Sequence, residues 1–262
     1  MATSSPTPAA RPGGVAVLVK AMGLIDALAE RGELTPAQLA EVLDEPRSTV
    51  YRLLATLQDL EFVEPGHLRG TYRLGLKLFA LGSTVVERYD ERAASHPVMQ
   101  RLHDETGETV FLCVRREHQA VCIERIDGLR VALLELRLGG ALPLHLGAAP
   151  RALLAFEPEA AWESYLDEVS LPERTASSPH NRAEVIAELR ATRDRGYAVS
   201  DQDVTVGVAS VGAPIFGHTA AVQASISIGG LRDVVLGEDS RILALVLEAA
   251  REISRAMGYR EP

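Results

Sequence analysis

Five side chains that can hydrogen-bond to DNA lie within one six-residue stretch of the sequence. They are Arg47, Ser48, Thr49, Tyr51 and Arg52. Arginine binds base edges and phosphates, and the hydroxyls of Ser, Thr and Tyr donate to phosphate oxygens. Apolar residues at helical spacing from Val50 to Leu60 predict an amphipathic helix that leaves these five residues on its outer face. The stretch therefore predicts a DNA recognition helix, with an ordinary solvated helix face as the alternative.

Two further helices are predicted ahead of this one. The first covers Val15 to Arg31, and the second is short, with Thr35 as its N-cap and Pro36 at its first position. The predicted buried stripe of the first helix is Leu18, Ala21, Met22, Ile25, Leu28 and Ala29. Asp44 tolerates the left-handed conformation that a tight turn into the recognition helix needs. The second helix and the recognition helix, joined by this turn, predict a helix-turn-helix.

A short hairpin is predicted directly after the recognition helix. Strand residues 62–64 and 71–74 flank a glycine-bearing turn, which is the pattern of a wing. Arg69 near the tip is predicted to contact the minor groove or a phosphate, and Arg73 a backbone phosphate; solvated surface charge is the alternative for each. Residues 46–78 carry five cations and three anions, whereas the whole chain carries 27 and 36. The basic surface is therefore local.

A second group of polar residues, later in the chain, predicts a ligand pocket. The backbone from Gly147 to Ala149 leads into a helix with uncovered N–H groups, which favour a carboxylate or a polarised carbonyl. Ser225 and Ser227 alternate with apolar residues, so both hydroxyls face one side of a strand, and Ser210 lies on another strand. Together these groups suit a small organic acid or acyl compound. Buried serines that only satisfy local backbone groups are the alternative.

The second part of the chain predicts an α+β domain. A β-hairpin is expected from the alternating runs Val110–Val114 and Ala120–Ile123. Further strands are predicted at 131–136, around 198, at 208–215 and at 222–228, with helices at 149–156, 159–167, 182–195 and 242–257. This succession predicts an antiparallel sheet flanked by helices.

Composition limits the class of protein. With 262 residues, 47% of them apolar, the chain can bury a sizeable core, and its net charge of −9 argues against indiscriminate nucleic-acid binding. Two cysteines, Cys113 and Cys122, give neither a disulfide framework nor a zinc ribbon and fit a reducing, cytoplasmic location. Residues 1–14, rich in Ala, Pro, Ser and Thr, predict a disordered arm and no signal peptide. No membrane span is predicted.

No motif supports catalysis, a metal or a cofactor. The seven histidines lack the H-x-x-x-H spacing of a metal site, and no phosphate-binding glycine motif is present. The residues around Ser210 miss the G-x-S-x-G pattern of a serine hydrolase by one position. We therefore expect no catalytic residue, no metal and no cofactor, and a protein that is not an enzyme.

Several sequence runs resemble IclR-type bacterial transcriptional regulators. The run from Leu39 to Leu57, with Tyr72–Leu78 behind it, is similar to the winged helix-turn-helix of that family. Later runs resemble its GAF-like effector-binding domain, in the same order: Glu105-Thr-Gly-Glu-Thr, Cys122-Ile-Glu-Arg, Leu142-Pro-Leu-His, Ala152-Leu-Leu-Ala-Phe, Arg195-Gly-Tyr and Ser225-Ile-Ser-Ile. The resemblance implies a winged domain at 15–78, a linker helix at 79–96 and an α+β effector-binding domain at 97–262.

The resemblance also implies which residues bind an effector. The matching positions are Leu134, Leu142, Ala148, Ala149, Val208, Ser210, Ser225 and Ser227, to which Ser200 and Asp201 are added and, from the helix start, Gly147. Two departures stand out. Asp44 and Glu45 replace a Gly and an apolar residue in the turn, which predicts weaker phosphate contacts, and Pro150-Arg151 replaces Gly-Lys, which predicts a differently shaped helix entry.

The sequence thus predicts a ligand-responsive regulator that binds a palindromic double-stranded DNA operator as a homodimer or homotetramer. A two-fold dimer doubles the few base contacts of one small domain. We expect the effector to bias the two DNA-binding domains through the linker helix, and the winged domains to contribute to the dimer interface. Activation and repression are not distinguished. A metabolite-binding module or hydrolase-like enzyme without DNA binding is the alternative function.

Overall fold

The structure, a computed structural model, describes residues 15–86, 90–130 and 134–260. The chain divides into two compact units, Met1–Arg88 and Tyr89–Pro262. The predicted disordered arm, residues 1–14, lies outside the described residues. Each unit buries apolar side chains of its own, as independently folding domains do.

Three helices, a hairpin and a fourth helix follow one another in the first unit. Their bounds are α1 Ala16–Arg31, α2 Pro36–Leu43, α3 Arg47–Asp59, β1 Val63–Pro65, β2 Tyr72–Leu74 and α4 Leu76–Val86. Helix α2 begins with a capping box, in which Thr35 Oγ1 accepts a hydrogen bond from the Gln38 N–H and the Gln38 side chain accepts one from the Thr35 N–H. It ends at Asp44, whose φ of 50° is left-handed. The predicted helix-turn-helix is confirmed.

The core of the first unit lies between the three N-terminal helices and the hairpin. It is formed by Leu24, Ala27, Leu28, Leu34, Leu39, Val50, Leu53, Leu54, Leu57 and Val63. An isolated bridge between Leu34 and Tyr72 joins the hairpin to the loop before α2. The wing is therefore tied to the helices by backbone pairing as well as by packing.

The predicted stripe of α1 was partly wrong. Leu18 is 62% exposed and Met22 is 54% exposed, whereas Leu24 and Ala27, which the prediction left out, are buried. The unit is small and packs against only one side of α1, so the spacing of apolar residues alone does not identify the covered side. Leu60, predicted on the buried face of the recognition helix, is 47% exposed because α3 ends one residue earlier.

The second unit is built on a six-stranded antiparallel sheet with helices on both faces. Its elements are α5 Asp90–Thr106, β3 Thr109–Arg116, β4 Gln119–Ile126, β5 Ala141–Pro143, α6 Ala148–Ala155, α7 Glu159–Glu168, α8 Arg182–Arg195, β6 Ala198–Asp201, β7 Val208–Phe216, β8 Val222–Leu231, α9 Arg232–Val235 and α10 Ile242–Ala256. The strand order is β5-β4-β3-β8-β7-β6. The predicted α+β class with an antiparallel sheet is confirmed.

Strand alternation decides which side chains reach which helical layer. On β8, Ile226 and Ile228 pack in the cluster that contains α5 and α10 residues, whereas Ser225 and Ser227 point toward α6. Cys113 faces the α6 side and is the register partner of Cys122 on β4; both thiols are free and buried. The sheet face under α6 therefore carries the small polar residues.

The predicted strand at 131–136 was wrong in its described half, and one strand was missed. Leu134–Leu136 belong to no strand, and residues 131–133 lie outside the described residues. The alternating Leu134 and Leu136 are buried, but the Leu136 carbonyl accepts a hydrogen bond from Arg125 Nη1 at 2.6 Å instead of one from a neighbouring strand. Strand β5, three residues long, was not predicted because so short a run has no periodicity.

The predicted linker, residues 79–96, falls on parts of α4 and α5, with residues 87–89 outside the described part of the chain. Within the described ranges, no helix is long and apolar enough to cross a membrane. The same ranges contain no group of three His, Cys, Asp or Glu side chains that could hold a metal ion.

Candidate functional site

Helix α3 presents the predicted DNA-binding residues on the side opposite its buried leucines. Arg47, Ser48, Tyr51 and Arg52 are exposed, and Thr49 is half-buried. Among the described residues, the guanidinium groups of Arg47 and Arg52 have no hydrogen-bond or ion-pair partner. The first turn of α3 has no acidic residue and no side-chain cap, so no side chain compensates the positive end of its dipole. This surface can bind phosphates and base acceptors.

The turn before α3 is less negative than its two carboxylates suggest. Lys20 Nζ on α1 lies 2.7 Å from Glu45 Oε1, so this carboxylate is paired inside the unit. Asp44 is exposed at the end of α2. Of the two carboxylates that depart from the family pattern in this turn, only that of Asp44 is therefore unpaired among the described residues.

Glu33, in the loop between α1 and α2, holds the wing in place. Its carboxylate accepts hydrogen bonds from the His67 N–H at 2.9 Å, the Leu68 N–H at 3.2 Å and Thr71 Oγ1 at 2.9 Å. The hydrogen bond from the His67 backbone, followed by that from its ring, lowers the pKa of Glu33 to about 2. Sequence reasoning missed Glu33, since it lies 34 residues from His67 and no local pattern connects them.

The two predicted wing arginines differ in what surrounds them. Arg73 Nε lies 2.8 Å from Glu64 Oε1 on the opposite strand, and Arg73 Nη1 lies 2.9 Å from His67 Nε2. Arg69 is exposed in the turn, and its side chain has no partner among the described residues. Arg69 is thus open to DNA, whereas Arg73 is bound within the wing.

The second unit contains a partly open cavity next to the start of α6. Most of the predicted effector-binding residues line it: Leu134, Leu142, Gly147, Ala148, Ala149, Ser200, Val208, Ser210 and Ser227. Much of the remaining wall is formed by Phe111, Leu136, Val204, Thr205 and Gly229. A mainly apolar wall with a few convergent hydroxyls is typical of a small-molecule site.

The start of α6 is positioned by small residues. Gly147 has a φ of +83°, which favours glycine, and its N–H donates to Asp203 Oδ2 at 3.3 Å. The next N–H, that of Ala148, donates to Ser210 Oγ at 3.3 Å. The prediction of uncovered N–H groups was therefore wrong for Gly147 and Ala148, because side chains from β7 and the loop after β6 bind them. A Cβ on Gly212 would lie 2.9 Å from the Ala148 carbonyl carbon, so glycine there lets β7 approach the helix closely.

Two predicted effector-binding residues are not brought to the cavity wall. Ser225 is fully buried, and its hydroxyl donates to the Ala149 carbonyl at 2.8 Å, which fixes α6 to the sheet. Asp201 points to the surface and forms two hydrogen bonds with Arg232, at 2.7 and 2.9 Å. Ser227 lies on the same face of β8 as Ser225 but reaches the cavity.

A buried ion pair lies directly behind the cavity. Arg151 on α6 binds the carboxylate of Asp203, and both side chains are almost fully buried, at 4% and 3% exposure. Asp203 also accepts a hydrogen bond from the cavity residue Ser200. From the sequence, Arg151 was noted only as a departure from the family pattern. It is the one charged residue in the apolar run Ala148–Ala155, and this could have indicated that it is buried with a carboxylate partner.

A buried histidine lies near this ion pair. His145 Nδ1 is 2.6 Å from the Tyr165 hydroxyl. Burial, followed by the charge of Arg151, lowers the pKa of His145 to about 4, and burial raises the pKa of Tyr165 to about 12. Both groups are therefore neutral at physiological pH and contribute to the support of the cavity.

Comparisons with known proteins agree with this architecture. Residues 17–66 match the family described as "IclR helix-turn-helix domain". Residues 83–255 match the family described as "Bacterial transcriptional regulator IclR C-terminal". The HTH-type transcriptional regulator KipR of Bacillus subtilis is 32% identical over 92% of this chain and 97% of its own length. The transcriptional repressor IclR of Escherichia coli is 30% identical, over 94% and 91%. The crystal structure of Thermotoga maritima IclR is 30% identical, with a TM-score of 0.79 over 93% of this chain and 99% of that one.

Proposed function

The chain belongs to the IclR family of bacterial transcriptional regulators, and we propose that it binds a palindromic operator as a homodimer or homotetramer under the control of a small-molecule effector. Members of this family are transcriptional regulators with a DNA-binding domain and an effector domain. Family membership therefore argues against the alternative function, a metabolite-binding module or hydrolase-like enzyme without DNA binding. The observation that carries the proposal is the exposed, unpaired cationic surface at the start of α3.

The proposed DNA contacts differ in kind along this surface. Arg47 and Arg52 contact base edges, because they lie on the first two turns of the recognition helix. Ser48, Thr49 and Tyr51 hydrogen-bond to phosphates. Arg69 inserts into the minor groove or contacts a phosphate, and Arg73 acts mainly by holding the wing through Glu64.

Exposed apolar side chains support dimerisation through the winged domain, residues 15–78, and the helix that follows it. Leu18 and Met22 on α1, and Leu76 on α4, are more than half exposed. Apolar surface of this kind on a small domain is typical of a protein contact. A two-fold dimer that covers it would present two recognition helices to the two halves of a palindrome.

The cavity is the proposed effector site, and a small organic acid or acyl compound is its proposed ligand. Its wall is apolar, apart from hydroxyls and the Ala149 N–H at the start of α6, which suit a carboxyl or carbonyl group. The linker, residues 79–96, would carry the effect from the effector domain, residues 97–262, to the DNA-binding domains. The effector must bind the two arrangements of these domains with different affinity.

Fluorescence anisotropy with the DNA upstream of the protein's own gene and its neighbours tests this function. We expect the full chain to bind that DNA more tightly than scrambled DNA of equal length, with affinity that falls as salt rises. Equal binding to both DNAs, or binding that does not respond to salt, would contradict the proposal.

A further inference from the structure

Two serine hydroxyls lie side by side in the wall of the cavity. Ser200 on β6 and Ser210 on β7 are direct register partners, and both line the cavity. Side chains directly opposite each other in an antiparallel pair have Cβ atoms about 4.5–5.5 Å apart. One ligand group of two or three heavy atoms can therefore contact both hydroxyls.

Ser200 can only accept a hydrogen bond from a ligand. Its hydroxyl donates to Asp203 Oδ1, and Asp203 is held in place by Arg151 and by the Gly147 N–H. A carboxylate paired with a guanidinium is ionised and accepts only, so the proton in this contact belongs to the serine. The lone pairs of Ser200 Oγ remain for the ligand.

Ser210 has the opposite role. Its oxygen accepts the Ala148 N–H at 3.3 Å, and its own proton has no acceptor among the described residues. Ala149, at the second position of α6, adds an N–H that has no carbonyl four residues back within the helix. The cavity thus presents donors from Ser210 and the start of α6 next to an acceptor, Ser200.

No cationic side chain compensates a negative ligand in this wall. The described lining residues include no Lys, Arg or His; their only ionisable side chain is that of Glu135, which is paired with Arg174. Two arginines lie behind the wall, and each is already paired with a carboxylate. Arg151 is paired with Asp203, and Arg125, which stacks on the lining residue Phe111, is paired with Asp127. A carboxylate next to Ser200 would place its oxygen against the serine lone pairs, with the Asp203 carboxylate one hydrogen bond away.

We propose that the cavity selects an uncharged carboxamide over the carboxylate of the same shape, and that Ser200 is the specificity-determining residue. The amide oxygen accepts from Ser210 and the start of α6, and the amide N–H donates to Ser200. This inference rests on the proposed effector site and narrows its ligand to the uncharged, acyl side of the proposed class.

Matched pairs of probes test the selectivity directly. Isothermal titration of the full-length protein with benzamide and benzoate, and with butyramide and butyrate, compares ligands that differ only in the polar group. We expect the better-fitting amide to bind about tenfold more tightly than its carboxylate, since each lost or repelled hydrogen bond changes the affinity by roughly that factor. A carboxylate that binds as tightly as its amide, or failure of all four probes to bind at millimolar concentration, would overturn the proposal.

Two serine variants assign the selectivity to one hydroxyl. Ser200→Ala removes the acceptor, and we expect it to weaken amide binding about tenfold and to bring the amide-to-carboxylate ratio close to one. Ser227→Ala is the matched control, because Ser227 also lines the cavity but is not bonded to Asp203. We expect Ser227→Ala to change the two affinities of a pair together and to leave their ratio intact.

Thermal unfolding of both serine variants shows whether each is folded. An unchanged ratio in a folded Ser200→Ala variant contradicts the role of Ser200. Operator anisotropy on the same samples separates the two proposals: intact DNA binding with no amide preference contradicts only the ligand inference, whereas loss of selective DNA binding in the unmodified protein contradicts the regulator itself.

Discussion

At the start of α3, Arg47 and Arg52 lie in solvent without a partner among the described residues, whereas the polar groups behind the cavity are bound to one another. The proposed DNA-binding surface therefore contributes little to folding, and its arginines are expected to gain partners only when DNA is bound. The cavity support does the reverse, because its charges stabilise the fold only while every member is present. We expect substitutions at the two sites to separate stability from binding.

The largest effect is expected from breaking the buried ion pair. Asp203→Ala leaves Arg151 charged and buried without its only buried carboxylate, which is expected to cost about 3–5 kcal/mol of the free energy of unfolding. The other carboxylate near Arg151, that of Glu188, is 3.5 Å from Nη1 and 46% exposed, so it compensates the buried charge only in part. Urea denaturation followed by circular dichroism measures this loss. Asp201→Ala is the matched control, since the Asp201–Arg232 pair is about 40% exposed on both sides and is expected to cost less than about 1 kcal/mol.

Equal losses for Asp203→Ala and Asp201→Ala would remove the distinction between buried and exposed charges in this protein. A double substitution, Arg151→Met with Asp203→Leu, tests whether the unpaired buried charge causes the loss of stability. Replacing both charges with apolar side chains is expected to restore most of the stability, because no unpaired charge remains.

The second effect is a pH dependence of stability that comes from His145. Its pKa is about 4 in the folded protein instead of 6.5, so between these values the unfolded chain binds a proton that the folded chain does not. Its contribution is complete above pH 6.5 and is lost as the pH falls toward 4, by about 3 kcal/mol at 1.36 kcal/mol per pKa unit. Urea unfolding at several pH values across this window measures the slope.

His145→Gln is the control for this slope. Glutamine keeps a polar group near Tyr165 but does not titrate, so the variant is expected to lose less stability between pH 6.5 and 4 than the unmodified protein. The difference between the two slopes isolates His145 from the other histidines. Parallel slopes would show that His145 takes up its proton at the same pH in both states.

The third effect concerns DNA affinity and leaves stability unchanged. Arg47→Ala removes an exposed guanidinium proposed to contact a base, which is expected to cost about 1–3 kcal/mol on the operator and to relax specificity. Arg69→Ala removes a proposed phosphate contact and is expected to weaken operator and scrambled DNA equally. Anisotropy on both DNAs separates these outcomes; equal losses on both DNAs for Arg47→Ala would contradict base contact.

The comparison also explains what the sequence could predict. Helix α3, the proposed recognition helix, follows from local patterns: the Thr35 cap, the left-handed Asp44 and the apolar spacing of α3 all act within a few residues. The family resemblance supplied most of the cavity wall, and strand alternation alone placed Ser225 and Ser227 on one face. Alternation does not reveal that α6 binds the Ser225 hydroxyl, because that contact joins residues 76 positions apart.

The features that were missed are long-range polar contacts. Asp203 binds Arg151 across 52 residues, and Glu33 binds the wing across 34. No periodicity encodes such pairs. The face of α1 was misassigned for a related reason, since its covered side is decided by where the small core lies.

The smallest effect on DNA affinity is expected from a substitution at Glu33. This residue shares features of both regions, because it holds the exposed wing through polar contacts within the protein. Glu33→Gln weakens the hydrogen bonds to the His67 and Leu68 N–H groups and loosens the wing. Of the proposed DNA contacts, only that of Arg69 depends on the position of the wing tip, so the loss of operator affinity is expected to be smaller than for Arg47→Ala. Hydrogen exchange of these two amides, which should accelerate, measures the loosening.

The exchange of these two amides is also expected to accelerate at low pH, where Glu33 becomes protonated. The pKa of Glu33 is about 2 in the folded wing, against an ordinary value of 4.5, so its stabilisation is complete above 4.5 and disappears as the pH falls through 2. Glu30→Gln, on the exposed side of α1, removes the same charge without touching the wing and should leave exchange unchanged. If Glu33→Gln also leaves the exchange of both amides unchanged, the wing is held by the Leu34–Tyr72 bridge and its packing, and not by the carboxylate.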